Sequence, residues 1–173
     1  MSKREADAAG GDAKKAKTDY TLNVNKALDK DQESKSFREV IKADVGALEG
    51  IGEKLTEMLN ALHVKTVEDL ANWKYFKAAR AIVILADREE EGGRHADSKA
   101  NINHLLDKEF EKKSLTELKS APPSALQGLA DWVDSALTPA HLTSIEKIAT
   151  WKYALWAESL VELAKFETDG GSL

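Results

Sequence analysis

The chain contains no cysteine. Disulfide frameworks, zinc ribbons and thiol nucleophiles are thereby excluded. Long hydrophobic runs are missing too. The longest, Ala81 to Ala86, covers six residues, where a membrane-spanning helix needs about 20. The first residues are polar, with no signal-peptide core, so an intracellular protein, cytoplasmic or nuclear, is expected. Nor does one sign of charge dominate any segment. Of the net charge of −5, +1 falls on residues 1–22, −1 on 23–89 and −3 on 101–167, with the remaining −2 on 90–100 and 168–173. Neither long segment is strongly basic, which counts against a nucleic-acid module. With 42% hydrophobic and 32% charged residues, the composition is that of a soluble globular protein.

What the chain does have is a duplication. Shifted by 78 residues, positions 23–89 fall on 101–167 without a gap, and 25 of the 67 pairs are identical. Asn23-Val24-Asn25 meets Asn101-Ile102-Asn103, Ala47-Leu48-Glu49-Gly50 meets Ala125-Leu126-Gln127-Gly128, and Trp73-Lys74-Tyr75 meets Trp151-Lys152-Tyr153. Each copy can therefore arbitrate what is ambiguous in the other. Each is also close to the smallest size that stabilises its own core, so the two are expected to pack together.

Both copies follow one helical plan. Ser36 stands three residues before Glu39, and Ser114 three before Glu117, the capping-box spacing that opens a helix. A very short helix ending at Leu48 leads to Gly50-Ile51-Gly52 and then a helix over about 53–62. Thr66-x-x-Asp69, and Thr143-x-x-Glu146 in the second copy, are expected to open another short helix. Asn72 and Thr150 are the expected N-caps of the longest helix, which starts at Trp73 and Trp151. Ala81-Ile82-Val83-Ile84-Leu85-Ala86 alone would suit a buried strand. Its copy, Ser159-Leu160-Val161-Glu162-Leu163-Ala164, carries a charge and spaces its apolar residues as a helix does. The apolar places at 160, 163 and 164 match Ile82, Leu85 and Ala86, so both segments are read as helices.

The run Leu48-Glu49-Gly50-Ile51-Gly52-Glu53-Lys54-Leu55, followed by Leu59 and by His63 to Ala71, resembles the helix-hairpin-helix family. It is similar to the tandem form in which one hairpin leads directly into a second turn and short helix. The likeness covers residues 44–71 and, more loosely, 122–149. It implies that backbone amides at Gly50, Ile51 and Gly52, aided by Lys54, hold a nucleic-acid phosphate at a helix N-terminus. The second copy departs from the pattern: Ala130 replaces Gly52, Asp131 replaces Glu53, and Trp132 replaces Lys54. Around Lys54 itself stand Glu49, Glu53 and Glu57, whereas phosphate binding usually draws on several cations. Set beside this is a plainer reading, in which the hairpin only joins two helices.

Trp73 and Trp151 are expected to be core anchors. Trp132 and Trp156 have no aromatic counterparts, since Lys54 and Ala78 occupy the matching places, and one is expected to face the other copy or a protein partner. His63 and His141 stand where the family often has Gly and suit a left-handed turn. Asp29-x-Asp31-x-Glu33 and Asp107-x-Glu109-x-Glu111 resemble the opening of a calcium loop but lack its sixth-position Gly and twelfth-position Glu. No nucleophile stands with a base, and no metal-ligand spacing occurs.

The resulting expectation is an all-α fold of two tandem helical repeats, each with a helix-hairpin-helix-like core, between disordered ends. Residues 1–22 form a tail, 23–90 the first repeat, 91–100 a linker, 101–167 the second repeat and 168–173 a frayed end. Lys14, Lys15 and Lys17, with Lys3-Arg4 upstream, read either as a nuclear-import signal or as a solvating tail. The expected function is non-catalytic interaction with a protein partner, with Trp132 and Trp156 at the interface. Sequence-nonspecific nucleic-acid binding through Gly50, Ile51, Gly52 and Lys54 is the alternative. No enzyme activity, cofactor, metal, membrane or small-molecule substrate is expected.

Overall fold

Helices of one to four turns, joined by tight turns, account for most of residues 22–168, the part that the computed structural model describes. The expected tail at 1–22 and import signal at Lys14, Lys15 and Lys17 lie outside it, apart from Leu22, as does nearly all of the expected frayed end. The α-helices are α1 (Phe37–Lys42), α2 (Glu53–Ala61), α3 (Val67–Ala71), α4 (Lys74–Ala86), α5 (Leu115–Lys119), α6 (Asp131–Leu137), α7 (Ile145–Ala149) and α8 (Lys152–Ala164). Single turns of 3₁₀-helix precede and separate them, at Asn25–Ala27, Lys30–Gln32 and Val45–Ala47, and again at Asn103–Leu105, Lys108–Phe110 and Pro123–Ala125. The described residues contain no strand, only isolated bridges such as Leu28 with Leu48 and Leu106 with Leu126. The fold is all-α.

Local sequence explains where four of these helices start. Ser36 and Glu39 form a reciprocal capping box at α1, as Ser114 and Glu117 do at α5 and Thr66 and Asp69 at α3. At α7 the cap is Ser144, which accepts from the Lys147 amide, and not Thr143. Ser144 lies 78 residues after Thr66, so the duplication register points to it where the isolated spacing does not. Asn72 and Thr150 are C-caps of α3 and α7, with Trp73 and Trp151 at the N-caps of the long helices. Thr150 turns its hydroxyl back to the Glu146 carbonyl at 2.8 Å, which removes it from duty on the following helix. In the second half Pro139 stands where Ala61 continues α2, and α6 stops at Leu137 before a 3₁₀ turn at Thr138–Ala140. Proline lacks the N–H that the ladder needs.

Packing follows from the stripes these helices present. α4 buries Tyr75, Phe76, Ala79, Ile82 and Ala86, and α8 buries Ala154, Ala157, Leu160 and Ala164, spacings that keep one helical face inward. The partners are not local. α4 packs on α5 and α7, beyond the connecting segment, while α8 packs on α1 and α3. Each long helix thus covers the short helices of the opposite half. One hydrophobic cluster runs through both halves, with Phe76, Leu48, Leu59, Leu70, Leu118, Leu126, Leu137 and Ile148 fully buried. Trp73 and Trp151 belong to it.

Candidate interaction site

The turn before α2 is shaped by Gly50, whose φ of +97° is left-handed; its counterpart Gly128 has φ +98°. Behind each stands a tyrosine from the opposite half. A Cβ on Gly50 would lie 2.5 Å from the Tyr153 hydroxyl, and one on Gly128 would collide with the Tyr75 hydroxyl. Tyr75 donates from Oη to the Gln127 carbonyl at 3.2 Å. The glycines here serve both backbone conformation and close approach. Lys74 Nζ lies 4.8 Å from the Tyr75 ring centre and Lys152 Nζ 5.0 Å from that of Tyr153, within cation–π range. The elbows are seats for the other half.

The remaining expected anion ligands are placed unevenly. Ile51 is buried, and its amide already donates to the Leu48 carbonyl at 3.1 Å. Gly52 is the N-cap of α2 with φ −81°, contributes no side-chain cap, and would meet nothing within 4 Å if it carried a Cβ. The first amides of α2 therefore open to solvent without an intrahelical partner. Lys54 is exposed beside them, but so are Glu49, Glu53 and Glu57. The negative charge offsets the attraction that one lysine and the helix dipole offer an anion.

In the second half Trp132 occupies the first turn of α6 and is 55% exposed. Ile84, Leu85, Leu163 and Phe166 are exposed as well; Trp132 is the aromatic among the exposed residues that stands within the hairpin, at the place of Lys54. Trp156 sits otherwise. It is half-buried, stacks edge-on against Tyr153 at 5.5 Å, and lines an open cleft with Asn23 to Ala27 of the first half. Among the described residues no ring contact joins Trp132 to Trp156, and Trp156 lies between the halves. His63 and His141 have φ of 63° and 61°, so both hold left-handed turns.

Two glutamates join the halves without having been singled out in the sequence. Glu89 accepts from the Leu115 amide at 2.9 Å and the Thr116 amide at 2.6 Å, capping α5. Glu167 does the same for α1, accepting from Phe37 at 2.7 Å and Arg38 at 3.1 Å. Burial pushes the Glu89 carboxyl up, but the two amides, the Thr116 hydroxyl and Arg94 together hold it below the ordinary glutamate value. Arg80 and Glu158, themselves 78 residues apart, form an ion pair between α4 and α8. The signal was available: Glu89 with Glu167, and Tyr75 with Tyr153, are among the identical pairs of the duplication.

No group of three or more His, Asp or Glu that could hold a metal ion occurs among the described residues. No helix among them is long and apolar enough to cross a membrane. Comparison with protein-family models, curated proteins and solved structures finds no match for this chain.

Proposed function

We propose that the chain is a non-catalytic interaction protein built from two tandem helix-hairpin-helix-like repeats, and that it presents Trp132 to a protein partner. The exposure of that indole is the observation that carries the reading, since Lys54 holds the same place in the first half. Recurrence of the helices, caps and glycine elbows 78 residues apart supports the repeat assignment. The turn that resembles a phosphate-binding hairpin is in large part an internal joint, because Tyr153 and Tyr75 seat against its glycines. Exposed aromatics concentrate binding energy at interfaces, so Trp132→Ala is expected to cut partner affinity at least tenfold. Affinity purification of the tagged chain, wild type beside Trp132→Ala, tests this, with thermal unfolding as the control for folding. Recovery of the same partners at the same yield by the variant would refute the assignment.

A second reading is favoured by one feature, the uncapped and unobstructed N-terminus of α2 at Gly52. Here the chain binds nucleic-acid phosphates without sequence preference through Gly52, Lys54 and the neighbouring backbone, with Gly50 and Ile51 shaping the turn. The reading expects Lys54→Glu to weaken binding and affinity to fall steeply with salt. Fluorescence anisotropy at low salt decides it. Absence of binding to both duplex and single-stranded DNA removes this reading.

A further inference from the structure

The packing of the long helices defines what a second copy of this chain would recognise. α4 leaves its own half to cover α5 and α7, and α8 returns to cover α1 and α3. The helix packing between the halves is made twice, once in each direction. Glu89 caps α5 and Glu167 caps α1, Tyr75 seats on Gly128 and Tyr153 on Gly50. Arg80 pairs with Glu158. The covalent connection between these docked parts is residues 90–100, all of them exposed, with Gly92 and Gly93 in left-handed turns that no neighbouring atom crowds. Among the described residues, side-chain hydrogen bonds to this segment run from Arg94 to the Glu111 carbonyl at 3.4 Å and from the neighbouring Asn101 to the Lys99 carbonyl at 3.1 Å.

We infer that the partner this interface also fits is a second copy of the chain: opened at residues 90–100, two molecules close on each other by exchanging halves. In that dimer each α4 docks on the α5 and α7 of the other molecule, and each α8 on its α1 and α3. The contacts between residues 23–89 and 101–167 of the closed monomer are all preserved, so the balance is set chiefly by tethering. A flexible connection of this length holds the halves at an effective concentration of about millimolar. The chain is therefore monomeric at about micromolar concentration and acquires exchanged dimer when refolded near about 1 mM. This inference rests on helix packing and is independent of the partner proposed through Trp132.

The connection is the variable that tests it. A folded body of this size is about 38 Å across if taken as a sphere. Replacing residues 90–99 with a rigid helical spacer of about 30 residues holds the halves about 45 Å apart. A Gly/Ser spacer of equal length is the control. Size-exclusion chromatography with light scattering is expected to give twice the monomer mass for the rigid version and the monomer mass for the flexible one, both with full helical circular dichroism. A rigid version that stays monomeric, folded or not, while the flexible control folds, overturns the inference.

A second measurement keeps the wild-type connection. Arg80→Glu and Glu158→Arg each place like charges together within one molecule. Only an exchanged heterodimer of the two variants restores opposite charges at both sites. Native mass spectrometry of the two variants refolded together near about 1 mM is expected to show the heterodimer about fivefold over either homodimer. Monomers alone, or dimers in statistical proportion, would contradict the exchange.

Discussion

Gly50 and Gly52 sit two residues apart in the same turn, yet the structure demands different things of them. Gly50 has φ +97° and the Tyr153 hydroxyl within 2.5 Å of where a Cβ would go. Gly52 has φ −81° with empty space above it, and its counterpart Ala130 takes nearly the same conformation at φ −73°. Gly50→Ala is expected to destabilise the chain by about 2 kcal/mol or more, combining left-handed strain with the steric clash. Gly52→Ala is expected to be neutral or to stabilise by up to about 1 kcal/mol, through a less flexible unfolded chain. Urea denaturation separates the two, and Tyr153→Phe in the Gly50→Ala background is expected to recover part of the loss by removing the clashing oxygen. No recovery would mean that the tyrosine is not what confines Gly50. The sequence showed both glycines as parts of one elbow; which of them was structurally required depended on a residue about 100 positions away.

A change at one position can also be read through its neighbour. In the first half the Asp44 carboxylate accepts the Gly46 amide at 2.8 Å. In the second half Pro122 takes the place of Asp44 and offers no side-chain acceptor. The Ser124 amide is instead satisfied by Asp134, at 2.9 Å, and the Ser124 hydroxyl by the same carboxylate at 2.5 Å. Asp134 replaces Thr56 of the first half. Because Ser124 is buried, Asp134→Thr leaves a buried amide short of an acceptor and is expected to cost about 1–3 kcal/mol. The pair of differences was visible in the aligned halves. That they compensate each other emerged only from the distances.

At the scale of elements, helices were legible because their starts are local. A capping box lies within four residues, and the boxes at Ser36, Thr66 and Ser114 form as their spacing predicts. Faces were less legible. Ile82, Leu85 and Ala86 share a helical pattern, but Ile82 and Ala86 are buried while Leu85 is 57% exposed, and its counterpart Leu163 is 47% exposed. Periodicity marks a stripe; how wide a strip is covered depends on the helices lying across it. The least legible feature was the capping of α5 by Glu89 and of α1 by Glu167, since those carboxylates arrive from the other half.

Glu89 gives this capping a pH signature. Its carboxyl is held below the ordinary glutamate value of 4.5 in the folded chain. A depressed folded value means stability that is present above the unfolded pKa and lost as pH falls through the folded one. Glu89→Gln is therefore expected to cost about 1 kcal/mol at pH 7, in keeping with the loss of a charged helix cap. The difference from wild type should shrink once the pH drops below the glutamate range. Urea midpoints of both proteins across the acid range provide the check. A difference that stayed constant with pH would show that the charge of Glu89 plays no part.

For the whole molecule, the duplication predicted two units that pack together, and the core residues of both units do belong to one cluster. What no local pattern could decide was the manner of packing. The buried residues of α3 (Val67, Leu70, Ala71) are close in kind to those of α7 (Ile145, Ile148, Ala149), so residue type alone does not say which of them α4 covers. The observed arrangement sends it across. Damage to a long helix should consequently appear in the other half. Ile82, buried on α4, offers the cleanest lesion, and Ile82→Ala is expected to cost about 2–5 kcal/mol. Native-state hydrogen exchange read peptide by peptide in this variant addresses the crossing directly. α5 and α7 are expected to lose protection at least as much as α1 and α3; loss confined to residues 23–89, with 101–167 unchanged, would refute the crossed packing.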